Sequence, residues 1–329
     1  MSPLAVAALR ALAALSLMLL NGVVLIYMLR KVLGHLHLRL GPTRVGPRGL
    51  LQTTADVLKL LTKEDVEPAA ADAWLFRLAP VVVFTPSFMA YLALVFGPGL
   101  RFSDLDTGVF YAFAVLSIVP VGVLMAGWAS NSKWSLIGGV RATAQQIAYE
   151  VPLLLAALGV VMAAGSMNLT EIVASQQGTW LGFLPRWFVF AQLPGFVLFL
   201  IASLAELNQT PFDMSEAESE LVAGFANEYS GMRFALMFLA EFSNSFIVSA
   251  LAVTLFFGGW LGGSGLVPPV VVFLLKTYLG VFVLMWIRGT LPRIRIDQLL
   301  TLGWKGLIPA SLAWVLVVGV AVKLFEGSG

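Results

Sequence analysis

Residues 11–29 read Ala-Leu-Ala-Ala-Leu-Ser-Leu-Met-Leu-Leu-Asn-Gly-Val-Val-Leu-Ile-Tyr-Met-Leu, a run without one charged side chain, held between Arg10 and the pair Arg30-Lys31. A helix rises about 1.5 Å per residue, so the run is long enough to cross about 30 Å of hydrocarbon. Six further charge-free stretches follow, from Leu78 to Leu100, Thr107 to Ser132, Val151 to Thr170, Trp187 to Ala205, Phe242 to Leu275 and Gly306 to Val322. The Phe242 to Leu275 stretch is too long for one crossing, and Gly258-Gly259, Gly262-Gly263, Gly265 and Pro268-Pro269 divide it into two. The expectation is an all-α polytopic membrane protein with about eight spans, at roughly 4–29, 76–98, 107–130, 147–166, 187–206, 234–257, 268–288 and 305–323.

Composition agrees, since 59% of the 329 residues are hydrophobic and only 12% charged, about half the charge of a soluble domain. Lysines and arginines in alternate loops divide fifteen to four. Arg30, Lys31, Arg39, Arg44, Arg48, Lys59, Lys63, Arg77, Lys133, Arg141, Arg233, Arg288, Arg293, Arg295 and Lys305 face Arg10, Arg101, Arg186 and Lys323. That positive-inside bias predicts both termini outside and cytoplasmic loops at about 30–75, 131–146, 207–233 and 289–304 of a single membrane domain, 1–329. The apolar run of the first segment exceeds that of a signal peptide, and Arg30-Lys31 follow directly, so it reads as a retained span. A net charge of +2 reflects loop cations and gives no reason to expect nucleic acid. With no cysteine, the chain can form no disulfide and ligate no iron–sulfur cluster. No nucleotide-binding glycine motif, HExxH or nucleophile triad is present, so no catalytic residue or metal site is expected here.

The loops carry the chemistry. After the turn Gly41-Pro-Thr-Arg-Val-Gly-Pro47, residues Gln52, Asp56, Lys59 and Lys63 form one polar stripe, with Leu51, Leu58 and Leu61 away from it. This predicts an amphipathic surface helix from Gly49 to Glu64. In the third loop Glu206, Asp213, Glu216, Glu218, Glu220 and Glu228 precede the next cation, Arg233. Thr210-Pro211 with Asp213 reads as a helix start, placing Asp213, Glu216 and Glu220 on one face. A solvated acidic face is the plain alternative. Within spans, Glu241 and Lys276 are costly in hydrocarbon and are read as marking a polar interior or an ion path. Glu150, at the mouth of the fourth span, reads from position alone as a solvated end residue. His35 and His37 lack the company of a metal site.

Arg39-Leu-Gly-Pro-Thr-Arg-Val-Gly-Pro47, Leu51-Gln-Thr-Thr-Ala-Asp56, Gly127-Trp-Ala-Ser-Asn-Ser-Lys133 and Arg141-Ala-Thr-Ala-Gln-Gln-Ile-Ala-Tyr-Glu150 resemble the complex I membrane subunit called H in bacteria and 1 in mitochondria. Pro211-Phe-Asp213-Met-Ser-Glu216-Ala-Glu218-Ser-Glu220, Glu228-Tyr-Ser-Gly231, Ala240-Glu241, Phe256-Phe-Gly-Gly-Trp260 and Pro292-Arg-Ile-Arg-Ile-Asp-Gln298 extend the resemblance across nearly the whole chain. The resemblance implies a subunit of a proton-pumping NADH:quinone oxidoreductase in the bacterial cytoplasmic membrane. Its cytoplasmic loops would meet a peripheral redox arm carrying flavin and iron–sulfur clusters, and its flanks small and antiporter-like subunits and lipid. Arg30, Arg39, Asp56, Arg288, Arg293 and Arg295 become candidates for a quinone chamber. Glu150, Glu206, Asp213, Glu216, Glu220, Glu228 and Glu241 become candidates for the start of a proton path.

Leu29, Thr43 and Gln209 depart from the family's usual glutamate, asparagine and arginine, the first and third removing charge near the expected chamber. Two other readings compete: the homologous subunit of an ion-translocating hydrogenase, and a self-sufficient secondary transporter, for which no inverted repeat is visible.

Overall fold

The computed structural model describes residues 2–180, 184–214, 223–263 and 267–326, and in it the charge-free stretches are helices. Among the described residues seven helical spans are long and apolar enough to cross a membrane. The first, α1 (Pro3–Leu36), opens on a Ser2 hydroxyl that accepts the Ala5 amide at 3.3 Å, with proline at its first position. Helix α2 (Gln52–Thr62) lies in the first loop, and α3 (Ala73–Ala93) is capped by Asp72. The third crossing is two helices, α4 (Gly108–Leu116) and α5 (Val119–Ala129), divided ahead of Pro120. Next come α6 (Lys133–Ala164) and the short α7 (Leu169–Ser175), then α8 (Phe188–Ala191) and α9 (Leu193–Glu206). The last spans are α10 (Gly231–Phe256), α11 (Pro269–Thr290) and the run Ile296–Leu324, in which α12 (Ile296–Thr301) passes through a π-helical turn into α13 (Ile308–Glu326).

Helix α10 is the axis of the bundle. Two thirds of its most apolar window is buried, against 17% for the peripheral Ile296–Leu324. Phe246, Leu251, Leu255 and Phe256 on α10 pack with Tyr91, Phe199 and Phe273 from α3, α9 and α11. The span expected at 187–206 is not among the seven; there the chain forms the short α8 and then α9, an apolar helix of 14 residues. Its start is fixed where the Gln192 amide donates to the Gly159 carbonyl at 3.1 Å, just before Pro194.

Three loop expectations change. Residues 131–146 are helical from Lys133 onward, because α6 continues for 32 residues. Its polar groups are used inside the protein, the Gln145 amide donating to the carbonyls of Ala205 and Phe212, each at 2.7 Å. Residues 296–304 are likewise helical and continuous with the last span. The helix start at Thr210-Pro211 is not formed. The Thr210–Pro211 peptide is cis, and residues 213–214 are non-helical. The backbone groups a helix would need are engaged elsewhere: the Phe212 carbonyl accepts from Gln145, and the Pro211 carbonyl accepts from the Ile294 amide at 3.1 Å. Glu216, Glu218 and Glu220 lie outside the described residues.

The amphipathic helix of the first loop is present as α2, with Gln52 and Asp56 of its polar stripe turned toward α1 and Lys59 and Lys63 exposed. Asp56 accepts from Gln52 at 3.0 Å and pairs with Arg30 on α1, whereas Leu51, Leu58 and Leu61 are each at least half exposed. A helix oriented this way presents leucines to lipid or to a partner.

Candidate functional site

At the end of the molecule that carries the cation-rich loops, α5, α6, α9 and α10 enclose a cavity of about 70 Å³. Its walls are mainly apolar, and its polar members are Gln146, Glu206, Asn208, Glu241 and Asn244. Asn244 stands three residues after Glu241 on α10, so these two share a face; Gln146 shares a face of α6 with Glu150, which does not itself line the cavity. Asn208 enters from a turn in which its own φ is +50°, a conformation asparagine tolerates better than most residues. Gln146, Glu206, Asn208 and Asn244 each keep a buried side-chain oxygen with no protein donor among the described residues. A water molecule needs about 10–15 Å³ and two or more polar partners, so this space admits several. Glu206 is also within electrostatic reach of Glu150.

The arginine segment closes one side of this region. Arg288, in the last turn of α11, stands 3.7 Å from Glu241. Arg293, in the extended segment after α11, donates to Asp213 at 3.1 Å. Asp213 is itself near enough to Glu241 to interact with it. Two of the arginines expected at a quinone chamber are thus bound to two of the carboxylates expected on a proton path. Arg30 and Asp56 form a separate pair between α1 and α2. Arg295 pairs with Asp297 at 3.2 Å with 80% of its side chain exposed, and Arg39 is exposed on the turn after α1, so neither joins the cavity. Glu228 receives the Asn227 amide at 3.4 Å and does not line the cavity. The Leu29 side chain packs half-buried against the core, and the Gln209 amide donates to Ser245 at 3.0 Å, so both uncharged departures are accommodated without an orphaned charge.

Gln146, Asn208 and Asn244 escaped the sequence reading, which followed charge. For Asn244 and Gln146 the i, i+3 and i, i+4 relations to Glu241 and Glu150 were the available signal; Asn208, in a turn, offered none.

Below the cavity, the first loop is tied to α3 and α10 by ion pairs. Arg233 bridges Asp65 at 3.0 Å and Glu67, and Arg77 holds both Glu67 oxygens at 2.8 and 3.0 Å. The bonds from Arg77, then those from Arg233, hold the Glu67 carboxyl at about 2, well below the usual range. Burial pushes the neighbouring Tyr229 phenol above its usual range, its ring stacked 4.1 Å from Phe76.

Lys276 has a different environment from the one its position suggested. Its ammonium donates to the carbonyls of Phe257, Gly259 and Leu261 at 2.7, 3.0 and 2.6 Å and lies 4.2 Å over the Trp187 ring. Those bonds use all three of its donors. It stabilises the turn after α10, where Gly258 and Gly259 both have positive φ and a Cβ on Gly258 would meet Trp187 at 2.6 Å.

The model of the NADH dehydrogenase family matches residues 9–319. The chain is 52% identical to the H subunit of the NADH-quinone oxidoreductase of Geobacillus kaustophilus over 299 residues, covering 90% of this chain and 88% of that protein. It is 49% identical over 305 residues to the protein of the same description from Brevibacillus brevis, covering 92% and 89% respectively. The corresponding Geobacillus thermodenitrificans protein is 51% identical over 299 residues, covering 90% and 88%. With most of its length matched at about half identity, the chain belongs to the NADH dehydrogenase family.

Proposed function

We propose that this chain is the quinone-site membrane subunit of a proton-pumping NADH:quinone oxidoreductase, a multi-pass protein of the bacterial cytoplasmic membrane. The similarity to proteins named as NADH-quinone oxidoreductase subunits supports the assignment, and one observation carries the mechanism: Arg288 binds Glu241, which lines a cavity shared with Glu206, and Arg293 binds the neighbouring Asp213. Electrons would reach the quinone from flavin and iron–sulfur clusters on partner subunits of the peripheral arm. Reduction of a quinone to a quinol takes two electrons from the partner clusters and two protons, so negative charge develops next to the arginine segment for as long as the protons lag the electrons. Chain residues then do three things. Arg293 and Arg288 stabilise anionic Asp213 and Glu241; a change in charge beside them alters their hold on those carboxylates; and the cavity lets water carry a proton between Glu241 and Glu206, whose charge is in turn felt by Glu150. Two unit charges about 8 Å apart interact by about 2 kcal/mol at an effective dielectric near 20, more than one pKa unit, which suffices to move a proton along such a series. At about 20 Å the same pair gives under about 1 kcal/mol, so closely spaced relays are required. Arg30 with Asp56, and the exposed leucines of α2, form the membrane-facing side of the chamber in this reading. From the last relay the path passes to antiporter-like subunits.

The test uses the intact complex in proteoliposomes. Glu241→Gln and Glu206→Gln should each lower dye-reported proton pumping and coupled quinone reduction together by about tenfold, leaving electron transfer from NADH to a soluble artificial acceptor unchanged. Asp297→Asn, in the exposed pair, is the control. Pumping at wild-type rate in both cavity variants would reduce the cavity to a solvated pocket without a role in coupling.

A further inference from the structure

At the opposite end from the polar cavity, the first turns of α1, the hairpin formed by β1 (Val95–Gly97) and β2 (Leu100–Arg101), and the start of α11 border a crevice of about 360 Å³. Leu17, Phe96 and Leu274 give it apolar walls, and the cations at its mouth are Arg10 and Arg101. The depth of Arg10 follows from helix geometry. It precedes Arg30 by twenty residues on one continuous helix, about 30 Å, so the two arginines bracket the hydrocarbon and Arg10 stands at headgroup level. Cations at this end run against the charge bias, which leaves it only Arg10, Arg101, Arg186 and Lys323, and two of these four converge on one crevice. Their donors are largely unspent. Arg10 makes a 3.5 Å hydrogen bond to the Phe102 carbonyl and pairs with no carboxylate among the described residues. Arg101 pairs with Asp104 at 2.6 Å through one of its nitrogens, and a guanidinium has five N–H groups to offer.

We propose that this crevice binds an anionic glycerophospholipid, its phosphate held between Arg10 and Arg101 and one acyl chain laid against Leu17, Phe96 and Leu274. Two guanidiniums beside a membrane-level apolar slot match a ligand with a phosphate at one end and a hydrocarbon chain at the other. An arginine that merely snorkels to the interface attracts water and any headgroup alike. The larger apolar cavity beside Lys276 lacks this chemistry, because Lys276 has no donor left to give.

The intact complex, reconstituted in phosphatidylcholine nanodiscs, is exposed to photoactivatable phosphatidylglycerol or phosphatidylcholine carrying the label on an acyl chain, and the labelled peptides are identified by mass spectrometry. Phosphatidylglycerol should label the peptides containing Leu17 and Leu274 more strongly, and Arg10→Gln should lower that preference about fivefold, the usual effect of one arginine at an anionic surface. Arg101→Gln should lower it further, and Arg10→Lys should restore part of it. Removing a cation from this end strengthens the charge bias, so insertion is not at risk. Millimolar inorganic phosphate should not compete. Equal labelling by both lipids, a preference unchanged in the double variant, displacement by free phosphate, or no labelling because another subunit covers the crevice would each overturn the proposal.

Discussion

Glu241 and Lys276 look alike in the sequence, each a single ionisable residue in an apolar helix, yet the two regions around them are built on opposite terms. At Lys276 every hydrogen bond is closed. The ammonium spends its three donors on three carbonyls, and nearby Gln176 donates to Ile172 and Thr254 while accepting from Gly258 and Phe188. At Glu241 the bonds are left open. Gln146, Glu206, Asn208 and Asn244 line a space large enough for water, and each keeps a buried side-chain oxygen with no protein donor among the described residues. A fully satisfied polar group fixes a turn, whereas partly satisfied groups beside a cavity can exchange protons. The intramembrane charge alone does not distinguish the two; the surrounding hydrogen-bond count does.

The sharpest break of this contrast is Lys276→Met. Methionine fills similar volume but leaves three carbonyls without their donor, and an unsatisfied buried acceptor costs about 1–3 kcal/mol. The amount of assembled complex recovered from membranes should fall severalfold, and what does assemble should pump with normal stoichiometry. Normal assembly with lost pumping would make the Lys276 region a path as well, and the contrast would be wrong.

A smaller effect is expected at the link between the arginine segment and the cavity. Arg293→Lys keeps a cation for Asp213, whose side chain is only 10% exposed, but loses the fixed fork of the guanidinium. Quinone reductase activity should drop about three- to tenfold with the artificial-acceptor rate intact. Arg295→Lys, in the exposed pair, should change neither. If both activities of Arg293→Lys fall in parallel, the residue is holding the assembly rather than the site.

The spans were legible because hydrocarbon thickness sets a length that charge-free runs either reach or miss, and Phe242 to Leu275 exceeded it by enough to require the break at Gly258-Gly259. The ends of helices α6 and α12 were not, since hydropathy marks where lipid begins and says nothing about where the helix stops. Thr210-Pro211 carried a good local cap signal that lost to tertiary partners: Gln145 and Ile294, 65 and 84 residues from Thr210 along the chain, claim the carbonyls that follow it. Charged members of the candidate site could be named from sequence because charge in a membrane protein is scarce. Its neutral members could not, since an amide such as Asn244 is informative only once the face it shares with Glu241 is known to border a cavity.

Glu67 supplies the smallest effect and a third case, a carboxylate with both oxygens closed by arginines but at the surface. Its folded-state value is about 2 against an ordinary 4.5. A depressed carboxylate stabilises the fold fully above the ordinary value and loses that contribution as pH falls toward the folded value. The thermal midpoint of the complex should therefore differ between wild type and Glu67→Gln by a constant amount from pH 8 down to about 5.5, and the gap should narrow only below about 4.5. Because the group is solvent-accessible, the gap itself should be small and should shrink further in about 1 M salt. Narrowing already between pH 6 and 7 would mean that Arg77 and Arg233 do not hold Glu67 in the assembled complex. Glu67 would then belong with the open carboxylates of the cavity, and the first loop would be anchored by the Asp65–Arg233 pair and by the bonds that the Ser230 hydroxyl makes to Glu64 and Val66.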